Sequence, residues 1–325
     1  MRGKRESGKY YTASNPFEHE LFRKWFALTP TDSVILEPFA GVNSIPKMMD
    51  DIGYHNKWVC YDIDWAKTEN KMPEFTVRRK DTIKNFPTGF NVCVTNPPYI
   101  GKSSARRRKI EYTWDEDDLY KVCLKLMLDN CEYVAAIIPE SFITANFRTE
   151  RLWGVISLAY RMFDDTDCPV CLALFTPNGR DDVEIYVNDE KLGHLSDLSN
   201  EDFIDSVCKN SWRFNDQHGN IGVKTVDGVN GDLCHFCHGD TFKPESIKVS
   251  SRSFTRISGL PDDIDFDTFI ERCNQILSEY RERTKDVTLT SFKGLRSDGR
   301  YRRRLDFKVV RFIMNKVLCE LRNND

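Results

Sequence analysis

A series of short apolar runs, each stopping on a polar, glycine or proline signature, constrains the fold of this 325-residue chain more than any other feature. Val34-Ile35-Leu36 runs into Glu37-Pro38-Phe39-Ala40-Gly41, and Trp58 to Tyr61 into Asp62-Ile63-Asp64. Residues 75–78 end near Asp81, residues 90–95 on Asn96-Pro97-Pro98-Tyr99, and Val134 to Ile138 on Pro139-Glu140-Ser141; Cys168 to Phe175 is one more run. Helical spacing fits between several of them: residues 15–28, with Asn15 as N-cap and Pro16 at the first position, a helix starting over Ile45 to Met49, then 116–130 and 146–160. Buried strands alternating with helices predict an α/β fold, a doubly wound and mostly parallel sheet covered on both faces. In such sheets ligands bind at the carboxyl ends of the strands, where all the polar signatures fall.

The alternation fades near residue 180. Polar, glycine-rich sequence occupies 215–240, and helical spacing returns over 265–282 and 306–321. Two domains are expected, 1–180 and 181–325, the second of α+β type. Apolar content of 40% with 30% charged residues excludes a disordered chain. No apolar run has the length of a membrane span, and the basic N-terminus is not followed by a signal core, so a cytoplasmic protein with no membrane partner is expected. The eleven cysteines are then expected to be mostly buried, reduced thiols. Net charge is only −3, but it is unevenly spread. Residues 102–109 carry five basic and no acidic side chains, residues 293–325 carry ten basic and four acidic, and residues 181–205 are strongly acidic. Local basic surface of this kind suits a polyanion.

The Asn96-Pro97-Pro98-Tyr99 turn has its own chemistry. Two successive prolines stiffen the loop and donate nothing to a ladder. The Asn96 amide oxygen and the carbonyl between the prolines are two acceptors held side by side. They suit the two hydrogens of an exocyclic amine, freeing the nitrogen lone pair for attack on an electrophile. Tyr99 offers a face on which a base can stack. Gly41 permits close approach of a ligand to the backbone, Glu37 can meet an ammonium, Asp62 ribose hydroxyls and Asp81 an adenine amine. Each of these acids could equally cap a turn.

On these residues the sequence resembles N6-adenine DNA methyltransferases whose cofactor motifs precede the catalytic one and whose target-recognition domain comes last. Lys9-Tyr10-Tyr11-Thr12 is similar to the family's upstream cofactor motif, Glu37 to Gly41 to its first glycine motif, and Asn96 to Tyr99 to its catalytic motif. Ile137 to Phe142 resembles the strand and turn that follow, although Val42-Asn43 stands where a second glycine often occurs. The resemblance spans roughly residues 9–176 and implies a Rossmann-like class I methyltransferase domain. S-adenosyl-L-methionine would be held by Tyr11, Thr12, Glu37, Phe39, Gly41, Asp62, Asp81 and Asn96. A flipped adenine would be held by Asn96, Pro97, Pro98, Tyr99 and Phe163.

The implied activity is site-specific methyl transfer to N6 of adenine in double-stranded DNA, in a restriction-modification or viral modification system. The enzyme would act as a monomer, with any cognate restriction endonuclease acting separately. Lys102, Arg106, Arg107, Arg108 and Lys109, together with Arg300, Arg302, Arg303 and Arg304, are the candidate phosphate contacts. Three alternatives stay open: methylation of a glutamine side-chain amide in protein, methylation of adenine in RNA, and an inactive DNA-binding module. Cys234-His235-Phe236-Cys237-His238 lacks a second ligand pair at zinc spacing and alternates like a strand, so no metal is expected.

Overall fold

The computed structural model describes residues 15–64, 75–159, 168–198 and 210–323. Contacts divide the chain into two compact units, one of Met1–Leu158 and Val170–Leu195, the other of Ala159–Pro169 and Ser196–Asp325.

The first unit is built on one sheet. Its strands are β1 (Ile35–Glu37), β2 (Trp58–Asp62), β3 (Val77–Arg79), β4 (Val92–Thr95), β5 (Tyr133–Pro139), β6 (Leu152–Leu158), β7 (Val170–Phe175), β8 (Glu184–Val187) and β9 (Glu190–His194). They lie in the order β3-β2-β1-β4-β5-β7-β6-β8-β9. The pairs among β1 to β5 are parallel, whereas β7 runs antiparallel to both β5 and β6. This is the expected doubly wound, mostly parallel α/β sheet. The chain leaves β1 towards β2 and β3 and later returns on the other side as β4. Strand order therefore reverses between β1 and β4, and their carboxyl ends are adjacent.

Helix α1 (Glu20–Phe26) follows a 3-10 turn over Pro16–Glu18, capped by the Asn15 side chain as predicted. Phe17, Phe22 and Trp25 are wholly buried, and the Trp25 indole donates to the Phe175 carbonyl at 2.9 Å. α1 lies close on β6: a Cβ at Gly154 would fall 2.9 Å from Leu21 Cδ2. Helix α2 (Ser44–Asp50) follows the β1 turn, α3 (Lys102–Arg107) follows Tyr99, and α4 (Leu119–Asn130) leads into β5. At the sheet edge where β5 starts, the Arg151 guanidinium donates to the carbonyls of Leu128, Cys131, Glu132 and Thr176.

Two expectations are corrected here. Residues 146–160 were expected to be helical, yet 152–158 form β6. Leu-Trp-Gly-Val-Ile-Ser-Leu is mostly buried between β7 and β8; its β-branched residues favour a strand, and its glycine disfavours a helix. The division between units falls after Leu195 and not at 180, because β8 pairs parallel with β6 and β9 closes a hairpin on it. The acidic run hides this pair, since charged side chains on an edge strand dilute its apolar alternation.

The second unit is α+β. Strands β10 (Arg213–Phe214), β11 (Ile221–Lys224), β12 (His235–His238) and β13 (Phe254–Ser258) form an antiparallel sheet in the order β10-β13-β11-β12. Strands β14 (Thr290–Leu295) and β15 (Tyr301–Arg304) form a hairpin. Helices α5 (Phe266–Thr284) and α6 (Phe307–Asn323) supply Phe269, Leu277, Val310, Ile313 and Val317 to a core shared with Trp212, Val223, Phe236 and Ile257. On α5, the Asn274 side chain accepts from Phe236 N at 2.8 Å and donates to Phe236 O at 2.9 Å, closing the β12 edge as a neighbouring strand would. The cysteine-histidine segment is β12 and what precedes it, with Cys234 and Phe236 buried on one face.

A single carboxylate organises the basic hairpin. Asp227, fully buried, accepts from Arg281 at 2.8 and 3.0 Å, from Cys234 N at 3.0 Å and from Arg303 N at 3.0 Å. Burial alone would raise its pKa; the Arg281 guanidinium and the backbone donors outweigh that and hold it below the ordinary carboxylate value. Removing one partner of such a buried pair costs about 3–5 kcal/mol. Asp227→Ala is therefore expected to destabilise the protein on that scale, measured as a loss of denaturant midpoint. An unchanged midpoint would contradict the assignment.

Candidate active site

Glu37 ends β1 and Thr95 ends β4, so the parallel pairing of the two strands sets their side chains together. The Glu37 carboxyl is 1% exposed. Its Oε1 accepts from Phe39 N at 3.0 Å and from the Thr95 hydroxyl. Glu37 thus braces the glycine turn against the residue preceding Asn96. Lacking a cation beside it, the carboxyl is pushed by burial up to about 8, with the Thr95 and Phe39 bonds opposing that rise.

The turn between β1 and α2 is anchored from three sides. Gly41 N donates to Asp62 Oδ2 at 2.9 Å, Ala40 N to the Tyr61 carbonyl at 2.8 Å, and the Thr82 hydroxyl to the Pro38 carbonyl at 2.9 Å. Gly41 has a φ of +51°, and a Cβ there would meet no atom within 4 Å. Open space at a strand end beside a backbone held in the left-handed region is a cradle for a ligand. Asn43 caps α2 in the same left-handed region, at φ +62°. Its amide donates to the Phe75 carbonyl at 2.8 Å, so it does structural work where a second glycine would have stood.

Asp62 holds the Gly41 and Asp64 amides, with one bond to each carboxylate oxygen, which leaves acceptor capacity for hydroxyl groups. Ile63 follows it and is 62% exposed. The sequence reading assigned Ile63 no role. An apolar residue directly after a strand-end acid was the available signal, and its exposure leaves an apolar surface next to Asp62. Asp81 instead caps its own turn, accepting from Lys84 N at 3.2 Å with the Lys84 ammonium 3.5 Å away. It faces solvent in part and keeps only limited capacity for a ligand. Tyr11, Thr12 and Phe163 lie outside the described residues.

Asn96 follows β4 immediately. Its side-chain Oδ1 is buried and has no hydrogen-bond partner among the described residues. The Pro97 carbonyl is likewise unbonded there. An amide oxygen buried without a partner costs about 1–3 kcal/mol, so this acceptor has capacity for a donor.

Beyond Tyr99, Gly101 starts α3. Lys102, Arg106, Arg107, Arg108 and Lys109 are all exposed, and none forms an ion pair among the described residues. The C-terminal basic candidates differ, and three of the four are engaged by the fold. Arg303 is only 4% exposed, its backbone bonded to Asp227. Arg302 donates to the carbonyls of Asp227 and Lys293 and lies over the Phe292 ring at 4.9 Å. Arg304 is held by Asp306 at 2.9 and 3.1 Å. Arg300 alone among them is exposed, with its backbone N bonded to Asp298 at 3.1 Å. Among the described residues no group of three or more metal-ligand side chains is gathered, and no helix is long and apolar enough to cross a membrane.

One consequence of the buried Glu37 carboxyl is measurable. Between its ordinary 4.5 and about 8 the unfolded chain has lost this proton while the fold keeps it. Stability therefore falls as pH rises through that window and levels off above it. Glu37→Gln is expected to flatten the decline in denaturation midpoint between pH 5 and pH 8, whereas a slope equal to that of the parent would contradict the burial argument.

Residues 42–155 match the family model of the Eco57I restriction-modification methylase. No curated protein sequence matches the chain. Among solved structures, the M protein of the type I restriction enzyme EcoKI is 14% identical, with a TM-score of 0.36, over 55% of this chain and 48% of that one. The type IIG restriction endonuclease BpuSI is 16% identical, with a TM-score of 0.39, over 53% of this chain and 26% of its own. The type I restriction-modification methyltransferase subunit from Streptococcus thermophilus is 13% identical, with a TM-score of 0.37, over 54% and 46% of the two chains. The chain spans about half the length or less of these three structures. Residues 42–155, which run from α2 through the Asn96–Tyr99 turn into β6, carry the pattern of the restriction-modification methylase family.

Proposed function

We propose that the protein is an S-adenosyl-L-methionine-dependent methyltransferase acting on N6 of adenine in double-stranded DNA. The observation that carries this reading is the buried Asn96 Oδ1, without a hydrogen-bond partner among the described residues and followed in the chain by Pro97, directly after β4 at the switch point of the sheet. Two fixed acceptors side by side match the two N–H groups of an exocyclic amine. When both hydrogens are held, the nitrogen lone pair is turned out of conjugation and made nucleophilic. Tyr99 provides the face for a flipped base, and extrusion from the duplex is required because a paired amino group is shielded.

S-adenosyl-L-methionine, when bound, supplies an electrophilic methyl group on a sulfonium. The residues present fit it: Gly41 leaves open space in front of the backbone, Asp62 keeps acceptor capacity for ribose hydroxyls, and Ile63 offers an apolar face to adenine. Phe39, half-buried in the same turn, belongs to this set. Glu37 keeps Oε2 free of bonds among the described residues, and an arriving ammonium would favour the ionised carboxylate and donate to it there. The unpaired cations of α3 follow the catalytic turn directly and suit phosphates flanking the extruded base. In this reading the second unit, from Ser196 onward, recognises the target sequence, the enzyme acts as a monomer, and a restriction endonuclease, where one exists, is a separate protein.

Asn96→Ala tests the assignment. Loss of a preorganised polar contact of this kind is expected to lower methyl transfer by roughly 10²–10³-fold. The measurement is transfer of labelled methyl from S-adenosyl-L-methionine to DNA, with cofactor affinity followed by calorimetry and expected to stay largely intact. Parent-level transfer by the variant would show that Asn96 does not hold the acceptor amine.

A further inference from the structure

Most basic side chains of the β14–β15 hairpin are consumed by the fold, and what remains free is concentrated at its tip. We infer that the loop 228–233 and the β14–β15 turn 296–300 form one rigid element that enters a groove of duplex DNA and reads the target through Val229, Asn230 and Arg300. This deepens the methyltransferase reading and rests on it.

The two loops are locked together before any ligand arrives. Asp227 N donates to the Arg303 carbonyl at 3.0 Å, and the segment bridges β15 antiparallel at Val226 and Arg304. Gly228 N closes its loop on the Asp232 carbonyl at 2.6 Å, and Arg296 N closes the hairpin turn on the Arg300 carbonyl at 2.8 Å. Ser297 N then donates to the Val229 carbonyl at 2.7 Å, tying one tip to the other. A recognition element held this way loses little conformational entropy on binding.

The chemistry left at the tip is selective. Val229 is 60% exposed, although both loops could have buried it. The Asn230 amide nitrogen has no partner among the described residues, its oxygen lying 3.5 Å from Asp232 N. Both acids of the tip are neutralised internally, Asp232 by Lys224 and Asp298 by Arg296. Lys293 and Arg300 are exposed, and neither side chain forms an ion pair within 4 Å among the described residues, although Arg300 N donates to Asp298 at 3.1 Å and its charge acts on that carboxylate. The free charge is thus positive, which complements a polyanion and disfavours a basic or neutral protein surface. A carboxamide that can pair with an adenine edge, an arginine for guanine or phosphate and an apolar side chain for a thymine methyl are the groups that direct readout of a groove uses.

The test uses the full chain, a duplex library randomised in sequence and S-adenosyl-L-methionine, with the methylated sequences read out. Val229→Ser and Asn230→Ala are each expected to relax the preference at one or two base pairs by about tenfold. Arg300→Glu is expected to lower kcat/KM on DNA by about tenfold or more at 0.1 M salt. Cofactor affinity and melting temperature should match the parent, which separates recognition from misfolding. A parent that methylates DNA while all three variants keep its rate and its sequence preference overturns this assignment alone. A parent that methylates RNA or protein but not DNA overturns the underlying reading together with it.

Discussion

The parallel pairing of β1 with β4, closed by the Glu37 carboxyl, is the interaction on which the rest of the site depends. It brings together two strand ends that are far apart in the chain, one leading into the glycine turn and one into Asn96-Pro97-Pro98-Tyr99. Glu37 accepts from both sides of the junction, Phe39 N in the turn and the Thr95 hydroxyl just before Asn96. Asp62 adds the third strand end by accepting from Gly41 N. Three strand ends are thus bound to one another by carboxyl groups, the Thr95 hydroxyl and backbone amides, and the groups left over are the space at Gly41, the exposed Ile63 side chain and Asn96 Oδ1.

The second unit repeats this logic with different chemistry. Asp227 is buried at the junction of β15, α5 and the loop before β12, and it uses both oxygens on Arg281, Cys234 N and Arg303 N. A buried carboxylate bound by a bidentate guanidinium is costly to break and specific in geometry. In both units the charged residue that the sequence displays most openly does internal work, and the surface chemistry falls to a neighbour.

That displacement explains what was legible in the sequence and what was not. The doubly wound sheet followed from apolar runs stopping on polar signatures, and those stops marked the site because strand ends of parallel sheets are where backbone and side chains are free. Asn15 and Pro16 announced the first helical turn correctly. The strand Leu152–Leu158 was read as a helix because a mostly buried run has no polar face to reveal its period. Strand β9 was missed because its edge position fills it with polar and charged residues, and β8 because its four residues sit within the acidic run. Arg302, Arg303 and Arg304 looked like a basic surface because sequence shows the charge and not its partner; Phe292, Asp227 and Asp306 come from elsewhere in the chain or from the next turn. Ile63 was legible only as an apolar letter between two acids, and its exposure is a tertiary fact.

The central claim is that Asn96 and Pro97 present an exocyclic amine of adenine, in DNA, to a methyl donor. The most direct measurement is mass spectrometry of nucleosides after the protein has been incubated with S-adenosyl-L-methionine in separate duplex DNA, RNA and protein reactions. The account predicts N6-methyldeoxyadenosine in the DNA reaction, with no methylated nucleoside from RNA and no methylglutamine from protein. Methyl groups found only on deoxycytidine, on RNA adenosine or on glutamine would contradict it.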